Sequence, residues 1–354
     1  MKRRDSGFSL LELMIALAIV AVVLAAASTF FIAMVKQYKV QTKITESNVE
    51  GILGLELLRQ DLENLGYGLP WNNLPSYSEA SSGILNDGGV PPRAIVSVDA
   101  STFGINNGSD YLVIKSTRVG MDNAAGRWTT LRAGAVTRSW GSAEEDLASG
   151  DRVIVLSPGG SVTDQRVLLT PVGGTDFDDL TPYDPNDNFQ TNIVYGIGSM
   201  ATTRFPFNRA DYYIAGDSVL YPTPRHCASI TGTLVKRVVN HSNGGLDDPL
   251  PLLDCVADFQ VIFGLDNNAD RVVDSWSTNV SVPLLSAADL RSQLVEVRIH
   301  ILAQSGQRDD SYTYPQDNVY VGSESAGRNY SLSGYRNYRW KQYVIVVKPK
   351  NLAN

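Results

Sequence analysis

The chain has 354 residues, of which 43% are hydrophobic and 19% are charged, and its formal net charge is -7. This length and composition are ordinary for a globular protein and allow one substantial core or two smaller ones. The negative charge excludes broad nucleic-acid binding, which needs clustered lysine and arginine. The three histidines, His226, His241 and His300, are too few and too scattered for most zinc sites.

The first element in the chain is a long apolar segment. Between Leu13 and Val35 there is no charged residue, glycine or proline. A helix over this segment measures roughly 35 Å and exceeds the hydrocarbon core of a bilayer, which is about 30 Å thick. Lys2, Arg3 and Arg4 precede it, and the positive-inside rule therefore predicts a cytoplasmic N-terminus. We expect the rest of the chain to lie across the membrane, since no later segment is long and apolar enough to return.

A short basic leader before this segment ends at Gly7, and Phe8, Ser9, Leu10 and Glu12 follow it. This run resembles the class III signal of type IV pilins and type II secretion pseudopilins, whose pattern is Gly, Phe, Ser or Thr, Leu, any residue, Glu. The resemblance implies that a membrane prepilin peptidase cuts after Gly7 and that the new amine on Phe8 is N-methylated. It also implies that the helix serves first as a membrane anchor and later as the core of a filament.

Glu12 has a physical role that agrees with this resemblance. A carboxylate at membrane depth costs roughly 2.5–3.5 kcal/mol on insertion scales, and a cation about 4 Å away would offset this by about 4 kcal/mol at an intermediate dielectric. Cleavage creates such a cation at Phe8. We therefore expect Glu12 to neutralise the Phe8 amine of its own chain or of a neighbour, which would set the axial register between subunits. The alternative is that Glu12 lies in the headgroup region without a role.

Two other interpretations of the N-terminus stay open. The alanines at positions 25–27 could form the small-residue cleavage site of an ordinary secretory signal. Against this, such a signal does not usually carry a carboxylate at its start, and the apolar run continues through Phe30 and Phe31. The other interpretation is a membrane anchor that is never cleaved.

The helical pattern continues beyond the membrane segment, because no proline occurs before Pro70. Apolar residues at spacings of three and four define one face of a helix: Ile52, Leu55, Leu58, Leu62 and Leu65. Asp61 lies off this stripe, and Gly66 ends the helix. One helix of roughly 87 Å is thus predicted from Phe8 to about Leu65. Gly51 and Gly54 are predicted to be points of close packing against a sheet, with a weak hinge as the alternative for each.

After Trp71, short runs rich in β-formers alternate with Gly, Pro, Asn, Ser and Asp, which predicts a series of strands. The predicted strands are residues 94–98, 111–116, 152–157, 167–170, 211–215, 234–239, 259–264, 294–303 and 342–347. Apolar and polar residues alternate from 294 to 303, which predicts a half-buried strand with His300 on its solvent face.

Together these elements predict an α+β fold, in which a long N-terminal helix, transmembrane and then amphipathic, packs on a mainly antiparallel β-sheet head. We divide the chain into a cleaved leader (1–7), a transmembrane and filament-core helix (8–35) and its amphipathic continuation (36–66). The β-rich head then has two parts, 67–244 and 245–354, with the boundary near Gly244 and Gly245.

The head resembles large minor pilins of the PilW type over most of its length. The stretches that carry the resemblance are residues 57–68, 109–116, 150–157, 211–221, 253–265 and 295–305. J-type pseudopilins of type II secretion share much of this plan. The chain differs from many major pilins, which have a proline partway along the membrane helix where Thr29 stands here. We therefore do not expect the helix to melt locally in a filament.

The only two cysteines, Cys227 and Cys255, would face an oxidising periplasm, where disulfides persist. A bridge between them would stabilise the head by about 3.6 kcal/mol on the chain-entropy model. Two buried free thiols are the alternative.

One acidic segment places oxygen ligands at the spacing that calcium loops use. These ligands would be Asp266, Asn268, Asp270, the carbonyl of Val272, and Asp274. Arg271 replaces the usual glycine and Ser277 replaces the usual glutamate, so the segment is not an EF-hand. A looser calcium site and a solvated turn are the two alternatives, and no other cofactor is expected.

Residues 312–343 are rich in tyrosine and arginine and include Arg336, Arg339 and Trp340. Interleaved aromatic and cationic side chains can bind sugars or single-stranded nucleic acid. Ordinary edge strands and loops are the alternative. Elsewhere no spacing of residues matches a common catalytic motif, so we do not expect an enzyme.

The sequence therefore predicts first a minor type IV pilin that takes part in initiating assembly of the pilus and in capping it. A minor pseudopilin of type II secretion, and a pilus-borne adhesin or DNA-uptake protein, are the alternatives. The expected partners are prepilin peptidase, other minor and major pilins through the N-terminal helix, and the inner membrane before assembly. We expect an inner-membrane precursor with a periplasmic head, and later a pilus protein at the cell surface.

Overall fold

The computed structural model describes residues 9–88, 90–100, 108–159, 165–216, 222–278, 285–323 and 326–352. These ranges contain the helices α1 (Leu10–Glu63) and α2 (Ala287–Gln293). The strands, in chain order, are β1 (Ile95–Asp99), β2 (Asp110–Ser116), β3 (Trp128–Arg132), β4 (Val136–Thr137), β5 (Arg152–Ser157), β6 (Val167–Leu168), β7 (Thr175–Asp176), β8 (Asn192–Gly198), β9 (Asn208–Ala215), β10 (Gly232–Val238), β11 (Leu250–Leu265), β12 (Ser275–Ser277), β13 (Leu294–Ser305), β14 (Asn318–Ser323), β15 (Ala326–Ser331) and β16 (Arg339–Val347).

The helix α1 is continuous over 54 residues, or about 81 Å. Thr29 does not interrupt it, and the Thr29 hydroxyl donates a hydrogen bond to the Ala26 carbonyl, 2.8 Å away. The helix ends at Glu63 rather than at Leu65. Gly66 follows with a φ of +72°, a left-handed conformation that favours glycine at the end of a helix.

The second half of α1 packs on a large sheet with the strand order β1-β2-β9-β10-β11-β13-β16, and β12 pairs with β11. All of its pairings are antiparallel, which confirms the predicted α+β fold. Leu58 and Leu62 of the helix share one core with Phe259 and Val261 of β11. The helix lies so close to the sheet that a Cβ atom on Gly54 would stand 1.8 Å from the Leu252 carbonyl oxygen. The predicted close packing at this glycine is confirmed.

One end of the predicted apolar stripe is wrong. Ile52 was expected to face the sheet, yet its side chain is 62% exposed. Asp61, expected off the stripe, is buried instead. The packed face of α1 therefore includes Gly54 and Asp61. The apolar side chain of Ile52 lies on the exposed face instead.

A second sheet, with the order β4-β3-β8-β5-β6 and β7 paired with β5, is formed by the chain between β2 and β9. We call residues 117–207 the inserted module, because β2 and β9 are neighbours in the large sheet. The module has a core of its own, which includes Leu131, Val153 and Val194. The sequence did not predict this separate unit.

The β14–β15 hairpin covers the face of the large sheet that lies opposite α1. His300 projects toward this side and is only 4% exposed, so its predicted place on the solvent face is wrong. Burial, with Arg298 nearby, lowers the pKa of His300. The alternation in β13 distinguishes two faces correctly, but it cannot reveal that a distant hairpin covers the second one.

Buried charges fix the segment that links α1 to β1. Glu79 on this segment accepts from Lys115 of β2 at 2.8 Å and from Arg209 of β9 at 2.9 Å. Asp87 accepts from Arg93 Nε at 2.6 Å. Because each buried charge has a partner of opposite sign, the segment is held firmly on the edge of the sheet.

The predicted boundary near Gly244 and Gly245 falls between β10 and β11, which are adjacent strands of the large sheet. Both predicted parts of the head contribute strands to that sheet. The division of the head, like the other predicted domain limits, stays a prediction about folding units.

Candidate assembly interface

The first half of α1 is an apolar surface that nothing in the head covers. Every side chain from Ser9 to Lys39 is exposed, and Phe30 and Phe31 are each 68% exposed. Among the described residues, α1 is the one helix that is long and apolar enough to cross a membrane. Such a surface is stable only in lipid or against other apolar helices.

Glu12 lies at the start of this surface. It is exposed in the first turn of α1, and Ser9 is the N-cap residue. A carboxylate here interacts favourably with the helix dipole by roughly 0.3–1 kcal/mol, which is less than the cost of carrying it into a bilayer. A further cation is therefore needed in an apolar surrounding. Gly7 and Phe8 lie outside the described residues, and the predicted cleavage and pairing at these positions stay predictions.

A buried ion pair fixes α1 to the head. Asp61 accepts a hydrogen bond from Lys236 Nζ of β10 at 2.7 Å and another from the Tyr212 hydroxyl of β9. Burial raises the pKa of Asp61 more than Lys236 lowers it. The pair therefore determines the position of the helix on the sheet rather than contributing much net stability.

Further apolar side chains are exposed on the second half of α1. Leu53 and Leu57 are exposed beside Ile52, next to the surface group formed by Arg59 and Glu56. Exposed apolar side chains therefore occur both on the membrane segment of α1 and on the part of α1 that packs on the head.

Cys227 and Cys255 form a disulfide with a Cα–Cα distance of 5.1 Å, which confirms the predicted bridge. It joins the segment before β10 to β11. Together with His226 these sulfur atoms make the one His, Cys, Asp or Glu cluster of metal-binding size in the described part of the chain. Since both sulfurs are bonded to each other, this cluster does not form a metal site.

The structure gives the predicted calcium loop no support. Asp266 is buried and accepts hydrogen bonds from the backbone amides of Asn268, Ala269 and Arg271. The carboxylate of Asp270 accepts from the Val272 amide, and that of Asp274 accepts from the Asn267 amide. The acidic side chains therefore close the turn on itself, as expected for Asx turns.

The tyrosine- and arginine-rich segment is mainly a small core, not an open binding surface. Trp340 is 6% exposed and donates its indole N–H to the Tyr335 carbonyl. Arg339 pairs with Asp309 at 3.0 Å. Arg336 pairs with Asp317 at 2.7 Å. Both guanidinium groups that the sequence singled out are thus engaged within the head.

The comparisons with known proteins agree with this geometry at both ends of the chain. Residues 2–28 match the family model of the prokaryotic N-terminal methylation motif. With the exposed helix and the antiparallel head, this match supports a type IV pilin-like precursor. Residues 211–351, from β9 past β16, match the model of PilW, the Type IV Pilus-assembly protein W. The two matches support a minor pilin precursor similar to PilW. No curated protein and no solved structure matches the chain.

Proposed function

We propose that this protein takes part in initiating assembly of a type IV pilus and in capping it. The observation that supports the proposal is the exposed apolar half of α1, which carries a single carboxylate, Glu12, in its first turn. Such a helix suits a lipid bilayer before assembly and the helical core of a filament afterwards.

In the proposed sequence of events, prepilin peptidase cuts after Gly7 at the cytoplasmic face of the inner membrane. The amine of Phe8 then becomes the N-terminus and is methylated, while the head lies in the periplasm. Glu12 pairs with the Phe8 amine of a neighbouring subunit, because an unpaired carboxylate in this apolar surrounding costs roughly 2.5–3.5 kcal/mol. The pair sets the axial register in which other minor and major pilins are added.

The size of the head favours a role at the start and the tip of the filament. A head that contains the large sheet and the inserted module needs more lateral space than the helix that carries it. We therefore expect few copies in each pilus, at a place where crowding is lowest.

The proposal is tested with Glu12→Gln, which removes the charge and keeps the shape. Glu63→Gln is the matched control, since Glu63 is an exposed glutamate on the same helix. We expect Glu12→Gln to be cleaved normally but to remain in the membrane fraction with few pili at the surface, whereas the control behaves as wild type. Normal amounts of Glu12→Gln in sheared pili would contradict the proposal.

A further inference from the structure

The inserted module contains a cleft that the proposed assembly role does not need. Its walls include Trp128 at the start of β3 and Trp140 after β4, and its volume is about 410 Å³. Clefts of about 300–1,000 Å³ are the usual size for small-ligand sites. The module, residues 117–207, lies outside both ranges that match family models. The cleft is thus not explained by the pilin fold.

The chemistry of the walls favours a neutral ligand that has both apolar and hydroxylic sides. Arg118 and Arg127 balance the charges of Glu144 and Glu145 around the cleft. The Trp128 and Trp140 rings lie 4.7 Å apart, tilted by 54°, and supply an apolar wall. The side chains of Glu144 and Glu145 have no hydrogen-bond or ion-pair partner among the described residues, so their oxygens are available to accept from a ligand.

The aromatic wall is fixed in place before any ligand binds. Asp146 accepts hydrogen bonds from the Trp140 amide at 2.5 Å and from the Ser139 hydroxyl at 2.6 Å. These bonds, that of Ser139 first, lower the pKa of Asp146. The Trp140 indole N–H donates to the Trp128 carbonyl at 2.7 Å, and Arg138 stacks on the ring at 4.2 Å. A rigid aromatic wall loses little conformational entropy on binding.

The cleft lies beside the C-terminal end of α1, whereas the membrane segment is at its N-terminal end. Arg118 donates to the side chain of Asn64, the residue that follows α1, at 3.3 Å. About 81 Å of helix separates this end from Leu10. A ligand on another surface could therefore reach the cleft without meeting the helix that joins other subunits.

From these observations we propose that the cleft binds a pyranose ring of a cell-surface or matrix glycan. The apolar C–H face of a sugar packs on the tryptophans, and its hydroxyls donate to Glu144 and Glu145. The proposal goes beyond assembly, because it needs only the head.

In the test, the full chain is applied to a glycan array in a detergent without a sugar headgroup. The affinity of the chain for each glycan that it binds on the array is then measured by calorimetry. Trp140→Ala and the exposed double variant Glu144→Gln/Glu145→Gln are compared with Phe189→Ala. Phe189 is a 97% exposed aromatic of the same module outside the cleft, so its variant is the control. Melting temperatures check that each variant is folded.

We expect Trp140→Ala to weaken binding at least about tenfold, the double variant to weaken it several-fold, and Phe189→Ala to bind as wild type. All three should be assembled into pili normally, which separates this proposal from the assembly role. Retention of no glycan, equal affinity of the double variant and wild type, or binding of choline in place of glycans would overturn the proposal.

Discussion

Removal of the Asp61 carboxylate should destabilise the packing of α1 on the head. Asp61→Ala leaves the Lys236 ammonium, whose side chain is 9% exposed, without its 2.7 Å partner. It also leaves the fully buried Tyr212 hydroxyl without an acceptor. Breaking one half of a buried pair costs about 3–5 kcal/mol, because the other charge stays buried and uncompensated.

A nearby surface pair provides the control. Glu63 pairs with Arg59, but both side chains are about half exposed, Glu63 at 48% and Arg59 at 44%. Glu63→Ala should therefore change the unfolding free energy by less than about 1 kcal/mol. A double variant, Asp61→Leu with Lys236→Met, should recover part of the loss, because no charge stays buried without a partner. Recovery should be incomplete, because the Tyr212 hydroxyl still lacks an acceptor.

The assay is urea unfolding in detergent, followed by tryptophan fluorescence and by circular dichroism. A loss of about 3–5 kcal/mol for Asp61→Ala that the double replacement restores in part would support the reasoning. A loss below about 1 kcal/mol for Asp61→Ala, or a double variant less stable than the single one, would refute it.

Three further predictions follow from single sites. Burial, with Arg204 nearby, lowers the pKa of His241 to about 4. The contribution of neutral His241 to stability is therefore present above pH 6.5 and is lost as the pH falls toward 4. We expect the free energy of unfolding to fall by about 3 kcal/mol over that interval. When unfolding is measured as a function of pH, His241→Gln should largely abolish this fall. Reduction of the disulfide should cost roughly 3–4 kcal/mol, and an unchanged melting temperature with dithiothreitol would contradict this. Gly54→Ala normally favours a helix by about 1 kcal/mol, but here it should lower the melting temperature, because the new Cβ would stand 1.8 Å from a backbone oxygen.

The features that the sequence predicted are those that local pattern determines. The motif around Gly7, the uncharged run of α1 and the β-rich segments depend on neighbours within a few residues. Each predicted strand, such as residues 211–215, overlaps an observed one, here β9.

The features that it missed depend on contacts between distant parts of the chain. The β2 strand pairs with β9 across the whole inserted module, and strands of two residues such as β4 carry no periodic signal. Asp61 is buried because Lys236, far along the chain, supplies its counterion. The Trp128–Trp140 cleft forms within one stretch of chain. It was missed because neither β3 nor β4, whose hairpin brings the two rings together, was predicted.

The central claim is that the leader is cleaved off before Phe8 and that α1 then becomes part of a filament. Mass spectrometry of the N-terminal peptide, from sheared surface fibres and from washed membranes, tests this most directly. We expect a peptide in the fibre fraction that begins with N-methylated Phe8. The same peptide in membranes alone would point to a pseudopilin, and a peptide that begins at Met1 or Ser28 would contradict the account.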